Sequence, residues 1–174
     1  MILETDRLEL IPLTAEQLKR WLDDLPGLEA ELNCTYRGEP LADGFRDIVA
    51  GQCEAVSACP ADYLWTTFWL LIRKSDRCAV GSADFKKPPD GRGEVELGYG
   101  LSPAFEHGGY MTEAVRAMTA WALAQPGVAA VTAETERYNL PSQRVLSRCG
   151  FTLYGQGETL WWRTSVPTGL SNKT

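Results

Sequence analysis

Polar and apolar positions change their spacing several times along this chain, and each change marks an element. Leu8 to Pro12 alternate weakly, as a first strand would. Thr14 followed by Gln17 forms a capping-box pattern ahead of a helix carrying Leu18, Trp21 and Leu22 on one face, and Pro26 with Gly27 predicts its end. Phe45, Ile48, Val49, Cys53 and Val56 recur at helical spacing, which predicts a second helix from about Ala42 to Ser57, closed by Pro60. Three runs rich in aromatic and branched residues follow: Tyr63 to Ile72, Cys78 to Phe85 and Gly93 to Leu101. The linkers between them, RKSD and KKPPDGR, are short and polar, so the strands should form an antiparallel meander, with Trp65 and Trp69 on one strand face.

Helical spacing returns from about Gly109 to Gln125, with Met111, Ala114, Val115, Met118 and Ala122 as the apolar stripe and Pro126-Gly127 as the stop. Val128 to Thr135 reads as a strand. Pro141 opens a short helix ending at Gly150, and a final hairpin runs from Phe151 through Trp161 to Val166, with Trp161 and Trp162 on opposite faces. This order predicts an α+β layer structure in which antiparallel pairing gives way to a helical crossover. Residues 1–166 should form a single domain, and the Ser- and Thr-rich stretch 167–174 a flexible tail.

Composition narrows the possible partners. A chain of 174 residues, 44% apolar, supplies one core and not two. The cysteines, Cys34, Cys53, Cys59, Cys78 and Cys149, are odd in number and lack CxxC spacing, which predicts reduced thiols in a cytoplasmic protein and no metal site. No apolar run approaches the ~20 residues of a membrane span, and MILETDRLEL carries charges where a signal peptide would be apolar. A net charge of −6 without a basic run argues against nucleic acid as partner, while acidity is compatible with an amine-bearing substrate. Monomer and homodimer both remain open.

The segment LSPAFEHGGYMTEAVRAM, Leu101 to Met118, takes a strand through a glycine pair directly into an amphipathic helix. Gly108 and Gly109 let a ligand approach the main chain, where the free N–H groups of the first helical turn and the positive end of its dipole favour an anion such as pyrophosphate. A loop hinge is the alternative reading of a glycine pair. It is neither a Walker motif nor a GxGxxG fingerprint. One strand later stands ERYNLPSQRVLSRCGF, Glu136 to Phe151.

Together with ELGYGLSP and the opening LETDRLELIPLT, these segments resemble the GNAT superfamily of N-acetyltransferases, in particular its ribosomal-protein N-terminal (Rim-type) branch. The resemblance runs from Leu3 to about Arg163, is weakest between Leu25 and Ala61, and is most specific at GYMTEA and N-x-x-S-x-R-V-L-x-x-x-G-F. It implies a mixed, mostly antiparallel twisted sheet with helices on both faces and a splayed parallel strand pair. It further implies acetyl-CoA as cosubstrate, its pantetheine on the main chain near Tyr99 and Leu101. Its pyrophosphate would sit on the loop and helix start formed by His107, Gly108, Gly109, Tyr110, Met111 and Thr112. Asn139 would hydrogen-bond the pantetheine arm, and Ser142 would lie near the thioester sulfur. The chain also departs from the family pattern: Glu106 stands where Arg or Gln is usual, Met111 replaces a small residue, and Leu146 occupies the position of a thiolate-protonating tyrosine.

Amine acetylation needs a neutral amine, so a carboxylate must accept a proton directly or through water. In GEVELGYGL, Glu94, Glu96, Gly98 and Gly100 share one strand face, opposite Val95, Leu97, Tyr99 and Leu101. Glu96 is the candidate base: it is nearer the expected divergence of the strands, and it matches the Glu that related transferases place beside the amine. A solvated sheet face is the alternative for both carboxylates. His107, the only histidine, reads as a loop residue or phosphate contact, and Cys149 as core packing. The expected reaction is direct acetyl transfer to a small amine or a protein N-terminus. A catalytically silent acyl-CoA-binding or regulatory domain is the alternative.

Overall fold

Thr14 caps its helix as its spacing predicts: Thr14 Oγ1 accepts from Gln17 N at 3.2 Å, and Gln17 Oε1 accepts from Thr14 N at 2.9 Å. The computed structural model describes residues 1–165, so the predicted tail 167–174 and Val166 lie outside it. In chain order the elements are β1 (Leu3–Glu4), β2 (Leu8–Pro12), α1 (Ala15–Asp23), α2 (Leu25–Leu32), β3 (Thr35–Tyr36), α3 (Asp43–Ala58), α4 (Tyr63–Thr66), β4 (Phe68–Arg73) and β5 (Cys78–Phe85). There follow β6 (Glu94–Leu101), α5 (Tyr110–Leu123), β7 (Ala130–Glu136), α6 (Leu140–Arg148), β8 (Thr152–Gln156) and β9 (Thr159–Ser165).

The strands form one sheet in the order β1-β2-β4-β5-β6-β7-β9-β8, with β3 beside β5. Pairing is antiparallel except for β6 with β7 and the two-residue β3 with β5. The architecture is thus α+β and mixed, as expected. Helices cover both faces. On one side Leu18 and Trp21 of α1, Leu28 of α2 and Val49 and Val56 of α3 pack on Phe68, Leu70 and Ile72. On the other, Met111, Ala114, Val115, Met118 and Ala122 of α5 and Leu146 of α6 pack on Trp69, Leu71, Val95 and Leu97. Each fully buried Val, Leu, Ile, Phe or Met side chain among them contributes ~1.5–3 kcal/mol of transfer free energy.

Strand β5 carries an irregularity that matters for the site. Leu71 pairs with Gly81 and Ile72 with Ala79, so Val80 is an extra residue and a β-bulge. The side-chain phase reverses there: Cys78 and Val80 face the α5 core before the bulge, and Ala83 and Phe85 face it afterwards. Asp84 is thereby turned to the face covered by α3, where Gln52 of that helix meets it.

Three local expectations are corrected. Pro26 and Gly27 do not end the helical region: Asp24 Oδ1 accepts from Gly27 N at 3.1 Å and caps α2, whose first turn tolerates Pro26. Tyr63 to Thr66 form a helical turn, not strand, after a 3₁₀ turn begun by Pro60, so Trp65 shares no strand face with Trp69. The two rings still converge, at 4.7 Å and 5.3 Å from the Trp121 ring. Ile48 points out of the α3 stripe and is half exposed.

Candidate functional site

Strands β6 and β7 pair in parallel only at Glu94–Ala130, Val95–Val131 and Glu96–Thr132. Beyond these residues both strands continue but separate, so the β7-facing edge of 97–101 has no strand partner among the described residues, while its other edge pairs with β5. A cleft of about 600 Å³ opens at this splay, lined by Tyr99, Gly100 and Leu101 of β6, residues 106–112, and Asn139, Pro141, Ser142, Arg144, Val145 and Arg148. Every candidate cofactor-binding residue, with Ser142, therefore lies on one cavity wall or another. Glu96 does not line the cleft; it stands on the opposite sheet face at the last paired position.

One wall is the start of α5. Gly109 is its N-cap at φ +78°, a left-handed conformation that suits glycine, and it supplies no side-chain cap. The N–H groups of Tyr110, Met111 and Thr112 thus have no partner within the helix and face the cleft end with the dipole's positive pole. His107 also has positive φ, +65°, and with Glu106 is exposed on the rim. Met111 is buried, its side chain filling the α5 core.

Residues from the β1–β2 turn hold this loop. Arg7 Nη1 donates to Gly108 O at 2.8 Å, Arg7 Nε to Glu113 Oε2 at 2.7 Å, and the Arg7 guanidinium lies 4.5 Å over the Tyr110 ring. The Tyr110 hydroxyl accepts from Arg73 Nη1 at 3.2 Å. Burial alone would raise the Glu113 carboxyl, but hydrogen bonds from Thr5 and Arg7 hold it below the usual carboxylate range.

The facing wall is α6. Asn139 is its N-cap, Oδ1 accepting from Ser142 N at 3.2 Å, so one face of its amide is committed to the helix and its amide N–H₂ remains for a ligand. The Tyr99 hydroxyl lies 2.7 Å from Ser142 Oγ and 3.3 Å from Ser142 O, and burial pushes the phenol up to about 12. Leu146 is fully buried and faces the core rather than the cleft. Cys149 is a packing residue as expected: burial pushes its thiol up to about 11, so at neutral pH it is no nucleophile. Arg144 and Arg148, one turn apart on α6, place two cations on the cleft despite the acidic chain. Their signal in the sequence is an i, i+4 pair, not a basic run, and so net charge and charge runs do not reveal them.

Across the sheet lies a charged face. Asp84 is buried, accepts from Gln52 Nε2 at 2.6 Å and pairs with Lys86 Nζ at 3.2 Å. This pair occupies the space above Gly98, where a Cβ would meet both Asp84 Oδ1 and Lys86 Nζ at 2.6 Å. Open room remains instead at Gly100, near Glu39. Glu96 is half-buried; burial raises its carboxyl pKa, Lys86 opposes this, and Glu134 and Asp84 add to it. Glu94, by contrast, is held in an ion pair with Arg163 at 2.9 Å. Among the described residues no group of three His, Cys, Asp or Glu side chains is placed to hold a metal ion, and no helix is long and apolar enough to cross a membrane.

Comparison with known proteins agrees with this geometry. The acetyltransferase (GNAT) domain family matches residues 7–152. The uncharacterized N-acetyltransferase YjdG of Bacillus subtilis (strain 168) is 34% identical over 85 residues, covering 49% of this chain and 51% of that protein. The match thus spans about half the length of that relative. Among solved structures, the RimL ribosomal L7/L12 alpha-N-protein acetyltransferase in complex with coenzyme A superposes with a TM-score of 0.66 at 16% identity, covering 97% of this chain and 100% of that one. The ribosomal-protein-S5-alanine acetyltransferase from Vibrio fischeri superposes with a TM-score of 0.68 at 13% identity, covering 97% and 98%. At these identities the likeness is one of fold.

Proposed function

Because the chain belongs to the GNAT acetyltransferase family, we propose that it transfers an acetyl group from acetyl-CoA directly to a primary amine. The observation that carries the reading is that an unpartnered strand edge and an uncapped helix start open on the same cleft. The residues present fit acetyl-CoA there. The edge of 97–101 offers amides and carbonyls to a pantetheine arm, and the N–H groups at 109–112 with Arg144 and Arg148 suit a pyrophosphate. Bound acetyl-CoA supplies the thioester; the chain supplies orientation and proton handling.

Glu96 accepts the proton of the attacking amine, directly or through one water, from the far side of the splay. Its raised pKa suits a base that must take up a proton near neutral pH. The main chain beyond Leu97 polarises the thioester carbonyl, and the Ser142 hydroxyl assists departure of the sulfur. Glu96, Asp84 and Glu39 favour approach of a cationic amine over a neutral one. The ribosomal-protein acetyltransferases among the structural neighbours favour the Rim-type branch and a protein N-terminus over a small amine as acceptor.

Calorimetric titration with acetyl-CoA and with CoA is the first test, and micromolar binding, ~8 kcal/mol, is expected for both. Release of free thiol is then measured with peptides bearing free or blocked N-termini and with polyamines. Absence of CoA binding would remove the proposal. Binding without release on any amine would favour a silent acyl-CoA-binding domain, the reading that the burial of Leu146 supports.

A further inference from the structure

Leu146, which by the family resemblance stands where a thiolate-protonating tyrosine is usual, is buried in the core and has no acidic proton to give. Yet a tyrosine hydroxyl reaches the cleft from elsewhere. Tyr99, on β6, projects from the strand edge across to α6 and meets Ser142 Oγ at 2.7 Å, an ordinary O–H···O distance for a strong hydrogen bond. Both side chains line the same cavity. Ser142 is itself fixed, because its N–H is bonded to Asn139 Oδ1 at the first turn of α6.

Each hydroxyl has a single proton, so the direction of this bond decides what remains for a ligand. A phenol is a stronger donor than an alcohol, and an alcohol oxygen, lacking delocalisation into a ring, is the better acceptor. Tyr99 therefore donates and Ser142 Oγ accepts. The alternative, in which Ser142 donates to Tyr99 and Tyr99 donates to Ser142 O, relies on the longer contact of 3.3 Å.

We propose that Tyr99 is a positioning residue for acetyl transfer: by donating to Ser142 Oγ, it leaves the one Ser142 proton free to point at the departing sulfur. The inference rests on the acetyltransferase reading above and deepens it. In the step concerned, the amine nitrogen forms a bond to the carbonyl carbon and the carbon–sulfur bond breaks. Its electron pair leaves with the sulfur, and the Ser142 hydroxyl stabilises that charge. The thiolate then takes a proton from solvent, while the proton lost by the amine leaves through Glu96. Tyr99 does not ionise, since burial keeps its phenol protonated through the neutral range and less acidic than an ordinary thiol. Its hydroxyl acts by orientation alone.

The test is a double-mutant cycle with wild type, Y99F, S142A and Y99F/S142A, each titrated with CoA and assayed for thiol release from acetyl-CoA. Both a free N-terminal peptide and water serve as acceptor, so the cycle closes without knowledge of the natural amine. S142A and Y99F are each expected to lower kcat about tenfold, with KM for acetyl-CoA changed less than twofold. The double variant should be no slower than S142A, because Tyr99 acts only through Ser142. S142T, which keeps a hydroxyl, should recover part of the rate. Losses that multiply in the double variant, a Y99F loss confined to KM, or a Y99F with wild-type turnover would each overturn the Tyr99 assignment while leaving the acetyltransferase reading intact. Wild-type protein that releases thiol with neither of these acceptors nor with the polyamines above would overturn both.

Discussion

On the cleft side of the splayed strands, the lining comes from two short stretches of chain, 99–112 and 139–148, and the strand edge and helix start among them present main-chain atoms. On the opposite face, Gln52, Asp84, Lys86, Glu96 and Glu134 arrive from α3, β5 and the loop after it, β6 and β7, and they act by charge. On the first side the strand edge and helix start depend on backbone shape, with Tyr99, Asn139 and Ser142 adding a few side-chain contacts. The second depends on side-chain identity and on the sheet that gathers it. Binding of the acyl donor and reaction with the acceptor should therefore fail separately.

The sharpest break is at Glu96. Glu96→Gln is expected to lower kcat about a hundredfold while CoA affinity by calorimetry stays unchanged, since the residue lies outside the cleft. Equal loss of affinity would merge the two sides. Gly109→Val attacks the other side: a branched residue at φ +78° should cost ~1–3 kcal/mol in thermal or denaturant unfolding. It should also weaken CoA at least tenfold, by displacing the helix-start amides. Smaller is the effect of Arg144→Ala or Arg148→Ala, about twofold to fivefold weaker CoA binding each, because these cations are exposed and screened. The weakening should shrink as salt is added.

The finest test is the pH profile. The acid limb of kcat/KM should lie above the ordinary carboxylate range, because burial and neighbouring charges raise Glu96. Asp84→Asn removes one of the groups that raise it, so the limb should move to lower pH; Lys86→Met removes an opposing cation, so it should move to higher pH. Shifts of the same sign in the two variants would show that the limb belongs to another group.

The same contrast explains what the sequence revealed. The glycine pair, the α5 stripe from Met111 to Ala122 and the N-x-x-S segment are local, each readable from neighbours within a few turns; the structure brings the first and last to one cleft and packs the stripe into the core beneath it. Asp84 was hidden in a run that reads simply as buried strand, and nothing local announces that Gln52 of α3 will meet it. Gly98 and Gly100 share the strand face of Glu96 in the sequence pattern, and nothing local announces that Asp84 and Lys86 of the neighbouring strand and loop fill the space above the first. Pro26 and the aromatic run at Tyr63 went astray for a different reason: a proline suits a helix start as well as a helix end, and an aromatic run fits either a strand or a turn.

The extra residue at Val80 has a consequence for how this strand could be exchanged between relatives. A transplanted segment keeps its meaning only if it carries Val80 together with Asp84, because the bulge inverts the phase of everything that follows it in β5. A graft ending between them, with a partner that runs straight, would drive the carboxylate into the apolar core at a cost of several kcal/mol and deliver Phe85 to the charged face. The unit of inheritance on this strand is therefore the defect with its carboxylate, not the residue alone.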